Sequence, residues 1–186
     1  MKIIFVTHGQ TLDNAEGILI GQLPGEELSS LGQSQARELG ESLKDVKIDC
    51  AYSSDLSRAV QTARDILKHH VGLRLVLTEG LRERSYGALQ GKKKSEIGWY
   101  DEMVYEDHAG FEPLKDLRSR VEKFLLKIEK QHKDDTVLLV AHRNLGIVLE
   151  SVVRGIPLSE LRTVTLMKTG GMRTFEYNGK KTKVTA

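Results

Sequence analysis

The sequence is poor in the features that would mark a secreted, membrane-spanning or nucleic-acid-binding chain. It has one cysteine, Cys50, in 186 residues. A lone thiol forms no intrachain disulfide, which points to a reducing compartment. Within Ile48-Asp49-Cys50-Ala51-Tyr52 it reads as a small buried strand residue. No apolar run approaches the roughly 20 residues of a membrane span. The N-terminus lacks a basic region followed by a long apolar stretch. The net charge is +2, with both signs interspersed and no basic stripe for nucleic acid. With three prolines and no Gly- or Ser-rich tract, there is no linker, repeat or low-complexity segment. These absences predict a cytoplasmic protein with one domain over 1–186, long enough to bury a real core. They predict neither a membrane nor a nucleic-acid partner. They leave room for a local positive pocket that attracts an anion.

Two apolar runs each end in a histidine. Lys2-Ile3-Ile4-Phe5-Val6 leads into Thr7-His8-Gly9-Gln10-Thr11, and Thr136-Val137-Leu138-Leu139-Val140 leads through Ala141 into His142. Between them, strands are predicted at Asp49 to Tyr52 and at Leu73 to Leu77. A helix is predicted from Ser30, its cap, with Gln33 as capping-box partner and a buried stripe of Leu31, Ala36, Leu39 and Leu43. A second helix starts after Ser53-Ser54-Asp55 and runs to about His69. Further helices are predicted at about Leu114 to Gln131 and Leu145 to Val153. A final strand pair is predicted at Thr163 to Met167 and Met172 to Tyr177. The polar stretch from about 79 to 113 reads as a flap over one end of the sheet, with a short helix around Ser95 to Val104. Alternating strands and helices imply an α/β fold, a three-layer α/β/α sandwich around a mostly parallel sheet. Ligands of such sheets sit beyond the carboxyl ends of the strands, where His8 and His142 should lie.

The second strand leads into Arg58, in the first turn of a helix, where a guanidinium beside a helix N-terminus suits an anion. Arg82-Glu83-Arg84 adds a carboxylate bracketed by two arginines. Two histidines, an arginine and a glutamate suit phosphoryl transfer: a nucleophile, cationic donors and a group for the leaving-group proton. Taken singly, each also reads as an ordinary structural or surface residue. No spacing among His8, His142 and Glu83 resembles a metal-ligand motif. His69, His70, His108 and His132 fall near helix ends or in loops and read as non-catalytic. Trp99 and Tyr100 read as packing of the flap.

Thr7-His8-Gly9-Gln10-Thr11-Leu12-Asp13-Asn14 resembles the Arg-His-Gly-x-Thr-x-x-Asn signature of the histidine phosphatase superfamily, the phosphoglycerate-mutase-like proteins. The resemblance continues through Gly21-Gln22, Leu28 to Ala36, Ser53 to Ala63, Leu81 to Gly91 and Val140-Ala141-His142. It covers nearly the whole chain in order. It implies that His8 is the nucleophile that becomes phosphohistidine. Arg58 and His142 would bind phosphoryl oxygens, with Asn14 and Gly21 in the substrate-binding segments. Glu83 would donate the proton to the leaving oxygen and activate the attacking water. No metal or organic cofactor is implied. The second nitrogen of His8 should be oriented by a backbone carbonyl of the Gly9 to Thr11 loop.

The family pattern breaks at two places. Arginine normally precedes the nucleophile, and here Thr7 stands there. A threonine in the substrate site offers one neutral hydrogen bond and no charge. By comparison with other preorganised donors, the loss is worth about 2–4 kcal/mol in the transition state. Glycine usually follows the second histidine, and here Arg143-Asn144 follows. The sequence therefore predicts that Arg143 supplies the missing charge, with Arg82 and Arg84 as weaker candidates. It also predicts a faster Thr7→Arg variant.

The short flap favours a phosphatase over the longer cofactor-dependent mutases. The expected substrate is a small phosphorylated metabolite. The Glu83 to Gly91 and Thr169 to Met172 stretches look closest to the mutase and fructose-2,6-bisphosphatase branches, which suggests a phosphorylated sugar or glycerate. Lys94 stands where mutases carry a substrate-binding lysine, and it also reads as part of a solvated Lys92-Lys93-Lys94 run. A weakened member that binds phospho-ligands or a partner is the alternative, and a phosphoglycerate mutase is the third. An edge strand or the last helix is available for a homodimer.

Overall fold

The computed structural model describes residues 1–99 and 102–179. Five strands form one sheet in the order β3-β2-β4-β1-β5: β1 (Lys2–Thr7), β2 (Cys50–Ser54), β3 (Leu75–Thr78), β4 (Thr136–Ala141) and β5 (Met172–Glu176). β1 pairs with β4, and β2 with both β3 and β4, in parallel; β5 closes the β1 edge antiparallel. The near-continuous apolar runs of β1 and β4 follow from burial on both faces. Ile3 and Phe5 of β1 join Val137 and Leu139 of β4 in one core layer, under α4 (Leu114–Gln131) and α5 (Arg143–Arg154). Ile4, Val6, Leu138 and Val140 face the opposite layer, under α2 (Ser30–Leu43) and α3 (Ser57–Leu67). A short α1 (Leu12–Ala15) lies in the loop after β1. Among the described residues, no helix is long and apolar enough to cross a membrane.

The chain leaves β1 toward α2 on one face and leaves β4 toward α5 on the other. The loops part at the carboxyl ends of these two adjacent strands, which opens a crevice there. The turn after β1 must also lie flat against the start of α2. A Cβ on Gly9 would stand 2.4 Å from the Gly32 carbonyl oxygen, and one on Gly32 would stand 1.9 Å from the Gln10 carbonyl oxygen. The two glycines let backbone meet backbone at the site.

Several expectations change. Ser29, not Ser30, caps α2 through Gly32 N–H at 3.1 Å. Gln33 donates instead to the Leu28 carbonyl. Leu31 is 53% exposed, outside the buried stripe. The strand expected at 163–167 is absent: Thr163 ends a 3-10 turn over Leu158–Thr163. β5 already occupies the β1 edge, and Val164 and Met167 turn into the core instead. Among the described residues, the flap helix expected around 95–104 gives way to a 3-10 turn at Lys94–Glu96 and turns at 98–99 and 102–105. The carbonyls of Met103 and Glu106 bond to the buried Arg84 guanidinium. Tyr100, expected as flap packing, lies outside the described residues.

Candidate active site

His8 follows β1 directly, and its N–H still donates to the Ala141 carbonyl at 2.9 Å. Its ring is buried. Nδ1 lies 2.7 Å from the Gly9 carbonyl oxygen, as expected for the orienting contact. A carbonyl only accepts, so Nδ1 carries the proton. Nε2 is then an unprotonated lone pair, and the Arg58 Nε–H donates to it at 3.3 Å. Burial first, then the Arg58 charge, push the His8 pKa from 6.5 down to about 3. The ring is neutral at neutral pH, as a nucleophilic nitrogen requires.

Arg58 sits in the first turn of α3 and is 3% exposed. Its Nη2 donates to the Gly21 carbonyl at 2.7 Å and its Nη1 to the Leu23 carbonyl at 3.3 Å. Gly21 has φ +57°, and a Cβ there would stand 2.2 Å from Gln90 Oε1. Gly21 thus aims a carbonyl at Arg58 from a backbone turn that other residues resist. Burial lowers the Arg58 pKa to about 10, against the charges of Glu83 and Asp13, so it stays cationic near neutrality.

His142 caps α5 and is fully buried, with its ring centroid 5.1 Å from that of His8. Its Nε2 lies 2.9 Å from Ser54 Oγ at the end of β2. Ser54 Oγ accepts the Leu56 N–H, so its own proton is free to go to His142 Nε2. With the Ser54 hydroxyl donating to Nε2, the His142 proton sits on Nδ1, which has no hydrogen-bond partner among the described residues. Burial, Arg58 and His8 hold the His142 pKa well below its ordinary value.

Glu83 reaches the same crevice from the flap. Its Oε1 accepts the N–H groups of Arg84 and Leu145, both at 2.9 Å, and its Oε2 accepts that of Asn144 at 3.2 Å. Two of those donors are orphan N–H groups at the start of α5. Asn14 Oδ1 is held by the Thr11 N–H in a capping box, which leaves the Asn14 amide NH₂ for the crevice. The crevice is lined by His8, Asn14, Gly21, Arg58, Glu83 and Arg143, with Ile18, Leu19, Ile20, Tyr86, Lys94 and Asn144. Its free volume is about 50 Å³. Tyr86 and Asn144 carried no residue-level signal as site members; their side chains hydrogen-bond to each other.

Thr7 is a correction. It is fully buried and does not line the crevice. Its hydroxyl donates to the Lys168 carbonyl at 2.6 Å and accepts the Gly171 N–H at 2.9 Å. The threonine fastens the 168–171 turn to β1, so its hydroxyl is not available to a substrate. Arg143 does line the crevice, its Nε anchored on the Met167 carbonyl at 2.8 Å. Its charge adds to the downward push on both His8 and Lys94. Arg82 and Arg84 are otherwise engaged. Arg82 pairs with Asp55 at 2.8 Å, and buried Arg84 holds Asp107 and the carbonyls of Met103, Glu106 and Glu112. Trp99 stacks on His108 at 4.1 Å as flap packing.

With this geometry in place, the chain can be set beside known proteins. It is similar to a Hydrogenobacter thermophilus protein assigned the name phosphoserine phosphatase 2, at 30% identity over 97% of this chain and 91% of that one. A 2,3-bisphosphoglycerate-dependent phosphoglycerate mutase of Brucella melitensis is 34% identical over 83% of this chain and 82% of that one. A mycobacterial glucosyl-3-phosphoglycerate phosphatase, solved with VO3, superposes with a TM-score of 0.84 at 26% identity, over 93% of this chain and 91% of that one. A sequence profile of the histidine phosphatase superfamily, branch 1, matches residues 3–186, and the chain belongs to that superfamily.

Proposed function

We propose that the protein is a metal-independent phosphatase of small phosphorylated metabolites, working through a phosphohistidine on His8. The observation that carries this is the lone pair on His8 Nε2, fixed by the Gly9 carbonyl and flanked by Arg58. Nε2 attacks phosphorus in line, and the bond to the ester oxygen breaks. Arg58, Arg143 and the Asn14 amide face the equatorial oxygens. His142 Nδ1–H, without a partner among the described residues, is the donor left for an oxygen of the phosphoryl group. Glu83 gives the leaving oxygen its proton. Its Oε2 holds one N–H against two on Oε1, which leaves a lone pair for that proton. Water then attacks phospho-His8, Glu83 takes back a proton, and phosphate leaves. Preorganised donors of this kind supply most of the stabilisation in phosphoryl transfer.

The substrate class is a phosphorylated sugar or glycerate. The small, cation-lined crevice supports it, and so do the names of the phosphoglycerate-handling relatives. The mutase names also favour a second reading, transfer of the phosphoryl group to another glycerate hydroxyl. A panel of phosphoesters, assayed with and without chelator and followed by rapid quench, tests both. Phosphate release with transient phospho-His8, unchanged by chelator, is expected. Transfer without release would select the mutase. Ligand binding with neither product nor phosphoenzyme would mean a site that binds without turning over.

A further inference from the structure

Away from the crevice, the amino ends of β2 and β4 carry a second cluster of polar side chains. Cys50 opens β2, His132 caps the carboxyl end of α4, and Asp135 immediately precedes β4. Their thiol, imidazole and carboxylate donor atoms lie within 4.8 Å of one another. We propose that Cys50, His132 and Asp135 form a binding site for one thiophilic divalent cation of the zinc class.

The donor set is mixed in the way such ions favour, one sulfur, one nitrogen and one oxygen, with room for water as a fourth ligand. The support around it is already built. His132 Nε2 is 2.9 Å from the Tyr52 hydroxyl, and Nδ1 is 2.9 Å from Asp135 Oδ2. Without an ion, Nδ1–H donates to the Asp135 carboxylate and Nε2 accepts from the Tyr52 hydroxyl; with an ion on Nδ1, Nε2–H would donate to the same hydroxyl. This outer hydrogen bond is the usual way a ligating imidazole is held in one tautomer. Asp135 is fixed by a turn in which its N–H donates to the His132 carbonyl at 3.1 Å. The neighbouring Thr136 N–H donates to Asp49 Oδ2 at 2.9 Å, and Asp49 N–H returns a bond to the Thr136 carbonyl. The three ligands therefore come from elements that the sheet holds together.

Binding releases the thiol proton to solvent, while the imidazole stays neutral, its proton moving from Nδ1 to Nε2 where the Tyr52 hydroxyl accepts it. No electron transfer is involved. Cys50 pairs with Val137, four rungs of β4 from Ala141 beside Thr7. At about 3.3 Å per rung the site is roughly 13 Å from the His8 end along the strand, so the ion ties α4 to the sheet rather than joining the chemistry.

Cobalt(II), titrated into the full chain under a phosphine reductant, is the probe. A thiolate-to-cobalt charge-transfer band in the near ultraviolet, lost on adding zinc, is expected. Cys50→Ser should abolish the band and weaken zinc by at least about tenfold, while hydrolysis of a phosphoester stays unchanged. Zinc should raise the melting temperature of the parent protein and not of the variant. Asp135→Asn, which keeps the thiol, should also weaken zinc. Absence of the charge-transfer band in the parent protein would overturn the proposal. So would zinc affinity that Cys50→Ser and Asp135→Asn both leave within twofold.

Discussion

The carboxyl ends of β1 and β4 deliver the same side chain to one place and prepare it in opposite ways: His8 lines the crevice, and His142 lies buried behind it, ring centroid 5.1 Å away. After β1, the carbonyl of Gly9 turns back on His8 Nδ1 and leaves Nε2 as the lone pair. After β4, the chain enters α5 at once, and Ser54 from the neighbouring strand takes His142 Nε2, leaving Nδ1 spare. Both rings are kept neutral by burial and Arg58. In the proposed mechanism, what separates the nucleophile from the donor is which nitrogen the protein has already used.

The largest effect expected from breaking this pairing is at His8. His8→Ala should cut kcat by about 10⁴-fold or more and abolish the phosphoenzyme on rapid quench. His142→Ala should cost about 10²–10³-fold and still form phospho-His8, because a donor rather than the nucleophile is lost. Equal losses, with no phosphoenzyme in either variant, would erase the distinction. Next in size is Arg143, the cation that the β4 end contributes. Arg143→Ala should lower kcat/KM by about 10²-fold, and Arg143→Lys should keep part of it, since charge survives without the planar fork. An unchanged Arg143→Ala would show that no charge from this end serves the phosphoryl group.

Thr7→Arg probes the β1 end. The structure withdraws the gain in rate that the sequence predicts, because the hydroxyl closes two hydrogen bonds in a buried turn. At about 1 kcal/mol each, their loss should lower the melting temperature by about 4–8 °C with no gain in turnover. A faster enzyme with an unshifted melt would contradict this. Ser54→Ala should reduce kcat by about fivefold with KM steady, the worth of one hydrogen bond of about 1 kcal/mol that sets the His142 tautomer. A change in KM alone would assign Ser54 to binding instead.

The smallest effect is in pH. Unfolded, each histidine takes a proton near pH 6.5; folded, His8 resists until about 3 and His142 is shifted the same way. The unfolded chain therefore binds more protons below 6.5, and stability falls as pH falls through that window. Melting temperature should drop between pH 7 and 5.5, and His142→Gln should flatten the slope. A slope equal in both proteins would remove His142 from the account.

Much of this arrangement was legible before folding was considered. The two strand-end histidines, Arg58 and Glu83 stand at positions that pattern and resemblance mark, and the continuous apolar runs of β1 and β4 announce strands buried on both faces. Thr7 was legible as a departure from the pattern but not in its consequence, because its partners, Lys168 and Gly171, lie more than 160 residues along the chain. Tyr86, Asn144 and Ser54 escaped for the same reason: the side chains they meet, Tyr86 with Asn144 and Ser54 with His142, are 58 and 88 residues apart in the chain. The 163–167 strand failed because local β propensity cannot know that β5 already fills the β1 edge. The flap helix failed because long-range anchors shape this segment: the Arg84 guanidinium holds the carbonyls of Met103, Glu106 and Glu112 from outside it.

That guanidinium, Arg84, sits next to Glu83 in the chain. One residue gathers 103, 106, 107 and 112 around itself, while its neighbour is pinned to the first turn of α5. Reshaping the flap for a different substrate is therefore not independent of the carboxylate of Glu83, the proposed proton donor. Insertions between 87 and 102 can vary the mouth of the crevice freely only if those four anchor points return to the same place, and this limits where new specificity can be grafted onto the scaffold.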